Sequence, residues 1–262
     1  MYFELDGNRY FAAGRLVAGD TRPVVVLLHG AAMDHSVWVY HTRYFMHVGR
    51  SVLAFDLPAH GLSGGEPVST IEGMATWLER ALDALGIVSV AIAGHSMGAL
   101  VALEFAAQAG ERAERLALLG AAVPMAVSPQ LLDEARADSR AARDMMVLWG
   151  HGGQAHVGGN PVAGLAIANG AMALLERARP GLLFNDLNAC NDYQGGSAAA
   201  PRVRARTRLI CGDEDKMTPP RVARELAAAI PTCAVDVIPV CGHIMMSERP
   251  EHTHRGLVAA LL

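Results

Sequence analysis

Residues 91–107 read "AIAGHSMGALVALEFAA". Val88–Ala93 leads in with the continuous apolar character of a strand buried on both faces. Met97–Ala109 follows with the length and composition of a helix. Between them stands Ser96, flanked by Gly94 and Gly98. A strand-to-helix turn this tight strains the serine backbone, and small flanking residues relieve the clash while Oγ is lifted clear of the sheet. The helix that begins at Met97 points free amides and a positive dipole end at the same place. In a chain with 27 glycines the plainer alternative is an ordinary tight connection. The sequence on either side decides between the two.

Outward from this stretch the same alternation repeats. Pro23–His29, Ser51–Phe55, Arg115–Leu119, Thr207–Cys211 and Ala234–Ile238 read as further strands, most of them unbroken apolar runs. Met1–Val17 alternates apolar and polar residues around Asp6-Gly7-Asn8, the pattern of a β-hairpin. Helices are expected from a Ser36 cap to His47 and from a Ser69 cap to Leu85, with Glu72 completing a capping box. Two more are expected over Arg221–Ala229 and Glu251–Leu261. This rhythm implies an α/β fold: a mostly parallel central sheet with helices on both faces.

The rhythm stops near Val123. Pro129–Val147 and Gly164–Arg177 then show helical periodicity, between Pro124 and Pro201, interrupted by "GHGGQAHVGGNP". A helical insertion explains this interval better than a structureless loop of that length. The expected organisation is a core in two parts, residues 1–122 and 204–262, with an insertion over 123–203.

Composition limits the partners. Of 262 residues, 52% are hydrophobic and 18% charged, which excludes a mostly disordered chain. The net charge is only −4 and no run of like charges appears, so no nucleic acid partner is expected. Arg202, Arg204, Arg206 and Arg208 alternate into a strand, as a solvated face would. The four cysteines form no C-x-x-C pair and read as buried thiols. No apolar stretch approaches ~18 residues without a charge or breaker, so no membrane span is expected. Met1-Tyr2-Phe3-Glu4 lacks the charged start and apolar stretch of a signal peptide, so the expected location is cytoplasmic. The sequence allows a homodimer.

In an open parallel sheet functional groups gather at the carboxyl ends of the strands. Those ends carry His29-Gly30-Ala31-Ala32, Asp56-Leu57-Pro58-Ala59-His60-Gly61, the Ser96 turn, Gly212-Asp213-Glu214-Asp215 and Cys241-Gly242-His243. A serine is a poor nucleophile at neutral pH and needs a base. His243, at the last strand end, is the candidate. The imidazole in turn needs an acid to hold its tautomer. Asp215 is the first choice, Asp213 the second and Glu214 the third. His95 is expected to support the turn, and His29 and His60 to hydrogen-bond the strand-end loops. His151 with His156, and His252 with His254, lack a nearby acid or cysteine, so no metal is expected, and no cofactor.

These segments resemble the α/β-hydrolase fold superfamily, in its serine-nucleophile branch. "LLHGAAMDHSVW" looks like the oxyanion-loop segment, "FDLPAHGLS" the segment after the next strand and "GHSMG" the nucleophile elbow. "GDEDKMTPP" looks like the acid loop G-x-x-D-x-x-x-P and "CGHIMMSERPE" the histidine loop G-H-x-x-x-x-E-x-P. The resemblance covers nearly all of the chain outside the insertion, which occupies the place of a helical cap. It implies that the acid is Asp215 and that the oxyanion donors are the amides of Ala31 and Met97. Ala59 departs from the family's usual glycine in D-x-P-G-H-G. A serine at the elbow argues against the related branches that use aspartate there.

The expected activity is hydrolysis of a small, largely apolar ester through Ser96, His243 and Asp215, with a small-molecule substrate as the partner. Cleavage of a carbon–carbon bond or an enol-lactone is the alternative within the fold. A non-hydrolytic receptor or cofactor-free lyase is the alternative from another class. Met33, Trp38, Met145, Trp149, Met217 and Met245 are the candidate pocket residues, against a plainer reading as core filling. No Arg or Lys cluster marks the strand ends, so no strongly anionic substrate group is expected.

Overall fold

The computed structural model describes residues 1–159 and 166–262. Its strands are β1 (Tyr2–Leu5), β2 (Asn8–Arg15), β3 (Val24–Leu28), β4 (Val52–Phe55), β5 (Val90–His95), β6 (Ala113–Leu119), β7 (Arg206–Gly212) and β8 (Cys233–Ile238). They form one sheet in the order β1-β2-β4-β3-β5-β6-β7-β8. The hairpin strands β1 and β2 join antiparallel, and every pair from β4 to β8 is parallel. The Asp6-Gly7 turn that closes the hairpin has φ of +52° and +74°, the pairing that a two-residue connection requires.

Side chains along β3 alternate between two cores. Val26 and Leu28 face one, packed beneath α2 (Ile71–Ala84), α3 (Met97–Ala109) and α10 (Pro220–Ala229). Val25 and Leu27 face the other, beneath α1 (Val39–His47) and α12 (Pro250–Leu261). Burial on both faces is why these strands read as unbroken apolar runs.

Two helix starts differ from expectation. Asp34, not Ser36, makes the cap before α1: its Oδ1 accepts from the Ser36 amide at 2.8 Å and begins a 3-10 turn over His35–Trp38. The cap thus serves the amide of Ser36 at the start of the 3-10 turn, and α1 follows from that turn with no side-chain cap of its own. Thr70, not Ser69, caps α2 by accepting from Gly73 N at 3.1 Å. Glu72 then falls one place short of the capping-box position.

Between β6 and β7 the chain forms α4 (Pro129–Arg136), α5 (Arg140–Gly150), α6 (Gly153–His156), α7 (Ile167–Arg177), α8 (Leu182–Asp192) and α9 (Gly196–Ala199). The periodicity over 129–147 is split into α4 and α5. Asp138 takes φ of +48° and Ser139 caps the second helix. Gly164, where the next helix was expected to start, lies outside the described residues. The expected pattern did not include α8. Leu131, Met146, Leu183 and Leu187 from these helices join the core on the α3 side. The last strand-end segment carries α11 (Met245–Glu248) before α12. Among the described residues no helix is long and apolar enough to cross a membrane.

Candidate active site

The turn after β5 is forced by close packing. A Cβ at Gly94 would lie 2.0 Å from Gly98 O, and one at Gly98 would lie 2.4 Å from His29 O. Both positions exclude any side chain. Ser96 between them holds φ +54° and ψ −118°, a region that a residue with a Cβ enters only under strain. The surroundings hold it there: Ser96 N donates to Leu119 O at 2.8 Å, and Ser96 O accepts from Ala99 N at 2.8 Å as α3 begins.

His243 arrives from the loop after β8. Its Nδ1 lies 2.8 Å from Asp215 Oδ2. Its Nε2 is buried and has no hydrogen-bond partner among the described residues. The backbone is fixed on both sides. His243 N and Ile244 N donate to Gly150 O at 2.9 and 3.1 Å, and His243 O accepts from His95 Nε2 at 2.9 Å. Gly120, at the exit of β6, leaves room for the ring, since a Cβ there would meet His243 Cε1 at 2.8 Å.

The three neighbouring acids have different partners. Asp213 accepts from Cys241 N at 3.1 Å, and Glu214 from Gly153 N at 2.8 Å. Asp215 accepts from Met217 N, Thr218 N and Thr218 Oγ1 at 2.9, 2.8 and 2.7 Å, in addition to His243. Burial pushes its carboxyl up, but His243 and these donors hold it at about 2. Of the three, Asp215 alone hydrogen-bonds His243, and it is ionised at neutral pH.

His29, His60 and His95 serve the strand-end loops. His29 bonds Gly30 O through Nδ1 at 2.8 Å and accepts from Leu57 N at Nε2 at 3.1 Å. Burial, with His60 nearby, pushes it down to about 4, so the ring is neutral. His95 is pushed down to about 3 by burial and by His243. His60 bonds Pro58 O and Asp186 Oδ2. Ala59 beside it takes φ +69°, which accounts for glycine being usual there.

The amides of Ala31 and Met97 donate to no protein atom among the described residues. Ala31, Ser96 and His243 share the wall of a cavity of about 260 Å³. Trp149 and Met217 line it too; Met33, Trp38, Met145 and Met245 do not. Trp38 and Met245 are fully buried in the core on the α1 side, and Met33 packs there beside them. On α5 the helical repeat brings Met146 and Trp149 to the cavity and turns Met145 off it.

The sequence did not single out Met125, Val127, Ser128, Leu131, Leu187, Cys190 or Lys216, which complete much of this wall. It also missed Asp186, fully buried on α8, which accepts from Ala32 N and from His60 Nε2, each at 2.8 Å. The available signal was an acid set within the apolar stripe Leu183, Leu187 and Cys190.

Asp34, His35 and Asp56 bring possible metal-ligand atoms within 4.8 Å of one another. Protein donors already engage them. Asp56 takes His35 N and Leu62 N, and Asp34 takes Ser36 N and Arg177. The trio is a hydrogen-bonded knot under the loop after β3.

A family model described as the alpha/beta hydrolase family matches residues 25–253. The pimeloyl-[acyl-carrier protein] methyl ester esterase of Aromatoleum aromaticum is 29% identical over 249 residues, covering 88% of this chain and 94% of that protein. The putative carbamate hydrolase RutD of Shigella flexneri is 28% identical, covering 87% of each. Among solved structures, the enol-lactonase of Burkholderia xenovorans superposes with a TM-score of 0.87 at 21% identity, covering 99% of this chain and 98% of that one.

Proposed function

Because the chain belongs to the alpha/beta hydrolase family, we propose that it is a serine hydrolase of small, largely apolar carboxylic esters. The observation that carries this reading is His243. One ring nitrogen is held by ionised Asp215, and the other is buried with no partner among the described residues, in a wall shared with Ser96. A base so arranged has its tautomer fixed and its accepting lone pair free.

Ser96 Oγ attacks the ester carbonyl carbon and its proton passes to His243 Nε2. The imidazolium that forms is stabilised by Asp215. The carbonyl oxygen, now negative, receives the free amides of Ala31 and Met97, each lowering the barrier by about 3 kcal/mol. The C–O bond to the alcohol breaks as His243 returns the proton to the leaving oxygen. Water, deprotonated by the same nitrogen, then releases the acid and restores Ser96. The helices between β6 and β7 cover the cavity and keep bulk water from the acyl-enzyme.

The test is hydrolysis of p-nitrophenyl butyrate by the parent and by Ser96→Ala. The parent turns over, and the variant loses kcat by about 10⁴-fold or more. Equal turnover by the two proteins overturns the reading.

A further inference from the structure

The cavity above Ser96 is apolar on most sides, with walls of Met125, Val127, Leu131, Met146 and Trp149. One cationic side chain interrupts it. Lys216 lines the cavity and is exposed, so it borders the opening to solvent. It is the sole lysine among the 22 basic residues of the chain. The carboxylates beside it in sequence are engaged elsewhere: Asp213 by Cys241 N, Glu214 by Gly153 N, and Asp215 by Thr218 and His243. Among the described residues no carboxylate lies within 4.0 Å of its ammonium.

Ser128 lines the same cavity. It opens α4, yet its hydroxyl caps no amide of that helix. Among the described residues this hydroxyl has no hydrogen-bond partner, and the first turn of α4 holds no acid to offset its positive end.

We propose that Lys216, with Ser128, forms an anion subsite at the mouth of the cavity. The substrate is then an ester whose apolar chain ends in an oxyanion, a carboxylate or a phosphate. This rests on the hydrolase reading and narrows its substrate class. It also reverses the sequence-based expectation that no anionic group is gripped. A rim position keeps the ammonium hydrated in the free protein. Bound substrate then covers the ion pair, where a charge-assisted hydrogen bond is stronger than in open water.

The test compares p-nitrophenyl butyrate with the p-nitrophenyl half-esters of glutaric, adipic and suberic acids, and with the p-nitrophenyl ester of 4-phosphonobutyric acid. The quantity read is the ratio of kcat/KM for each anionic ester to that for butyrate. Lys216→Ala lowers this ratio by about tenfold in the carboxylate or the phosphonate arm, and Lys216→Arg restores most of it. The arm that falls further identifies the anion. A ratio that Lys216→Ala leaves unchanged in both arms overturns the subsite. Binding of monomethyl adipate and of methyl 4-phosphonobutyrate to Ser96→Ala, with and without Lys216→Ala, is measured by calorimetry. Affinity that falls about tenfold for one of them supports the subsite even if no ester is turned over, a result that fails only the hydrolase reading. Affinity indifferent to Lys216 for both overturns it.

Discussion

Two buried aspartate–histidine pairs lie in this molecule, with opposite consequences. His243 and Asp215 meet at 2.8 Å, and so do His60 and Asp186, with all four side chains almost fully buried. They differ in the second ring nitrogen. His243 Nε2 has no partner among the described residues. His60 Nδ1 faces Pro58 O at 2.9 Å. A carbonyl and a carboxylate can only accept, so His60 donates from both nitrogens and is an imidazolium. Burial pulls its pKa down, but Asp186 raises it above the usual value. The same Asp186 oxygen takes the Ala32 amide, next to Ala31. One pair leaves a ring nitrogen open to accept a proton. The other ties α8 to the loop that carries Ala31 and Ala32. Distance to an acid does not distinguish such histidines; the free nitrogen does.

Removing each carboxylate breaks the comparison in different ways. Asp215→Asn leaves His243 without its tautomer partner and lowers kcat by about 10⁴-fold in steady-state ester hydrolysis. Asp186→Asn strands a buried imidazolium, because an amide cannot both neutralise His60 and accept from Ala32. Its main effect is on stability, about 3–5 kcal/mol in urea unfolding, with a much smaller change in kcat. If Asp186→Asn instead kept full stability and lost as much kcat as Asp215→Asn, the two pairs would not be distinct in role.

Acid sharpens the contrast. His29 is pushed down to about 4, and His41 and His95 to about 3, each chiefly by burial. Below the unfolded value near 6.5 the unfolded chain binds protons that these folded rings refuse. Their stabilisation is therefore full above that value and is lost as pH falls toward 4 and then 3. His60 works the other way: its contribution is present below 6.5 and is lost as pH rises through its raised value. His151 and His254 are lowered by burial as well, and His35, despite its burial, is raised beside Asp56, so five rings stand against two and the melting temperature falls between pH 7 and pH 4. A melting temperature that rises over this interval would mean the five rings are charged in the fold.

The sheet and the strand ends were legible because both follow short-range rules. Strands buried on two faces must be apolar throughout, and Gly94 and Gly98 are dictated by backbone contacts that allow nothing larger. Ser96, Asp215 and His243 follow at the strand ends. The pocket was less legible. Met33, Trp38 and Met245 sit near those ends in sequence but turn into the core on the α1 side. The walls of the cavity beside Ser96 come from α4, α5 and α8 and from the loops at 125–128 and 216–218. The register of α5 against α4 depends on the break at Asp138, where the sequence keeps a helical repeat across a residue with φ of +48°. Lys216 was visible throughout, but as a single charge it left no pattern to find.

The most direct measurement is intact mass after incubation with a fluorophosphonate, on the parent and on Ser96→Ala. A single adduct on the parent, mapped to Ser96 and absent from the variant, is the predicted result. An unmodified parent, or an adduct that persists in Ser96→Ala, would contradict the assignment of Ser96 as the nucleophile.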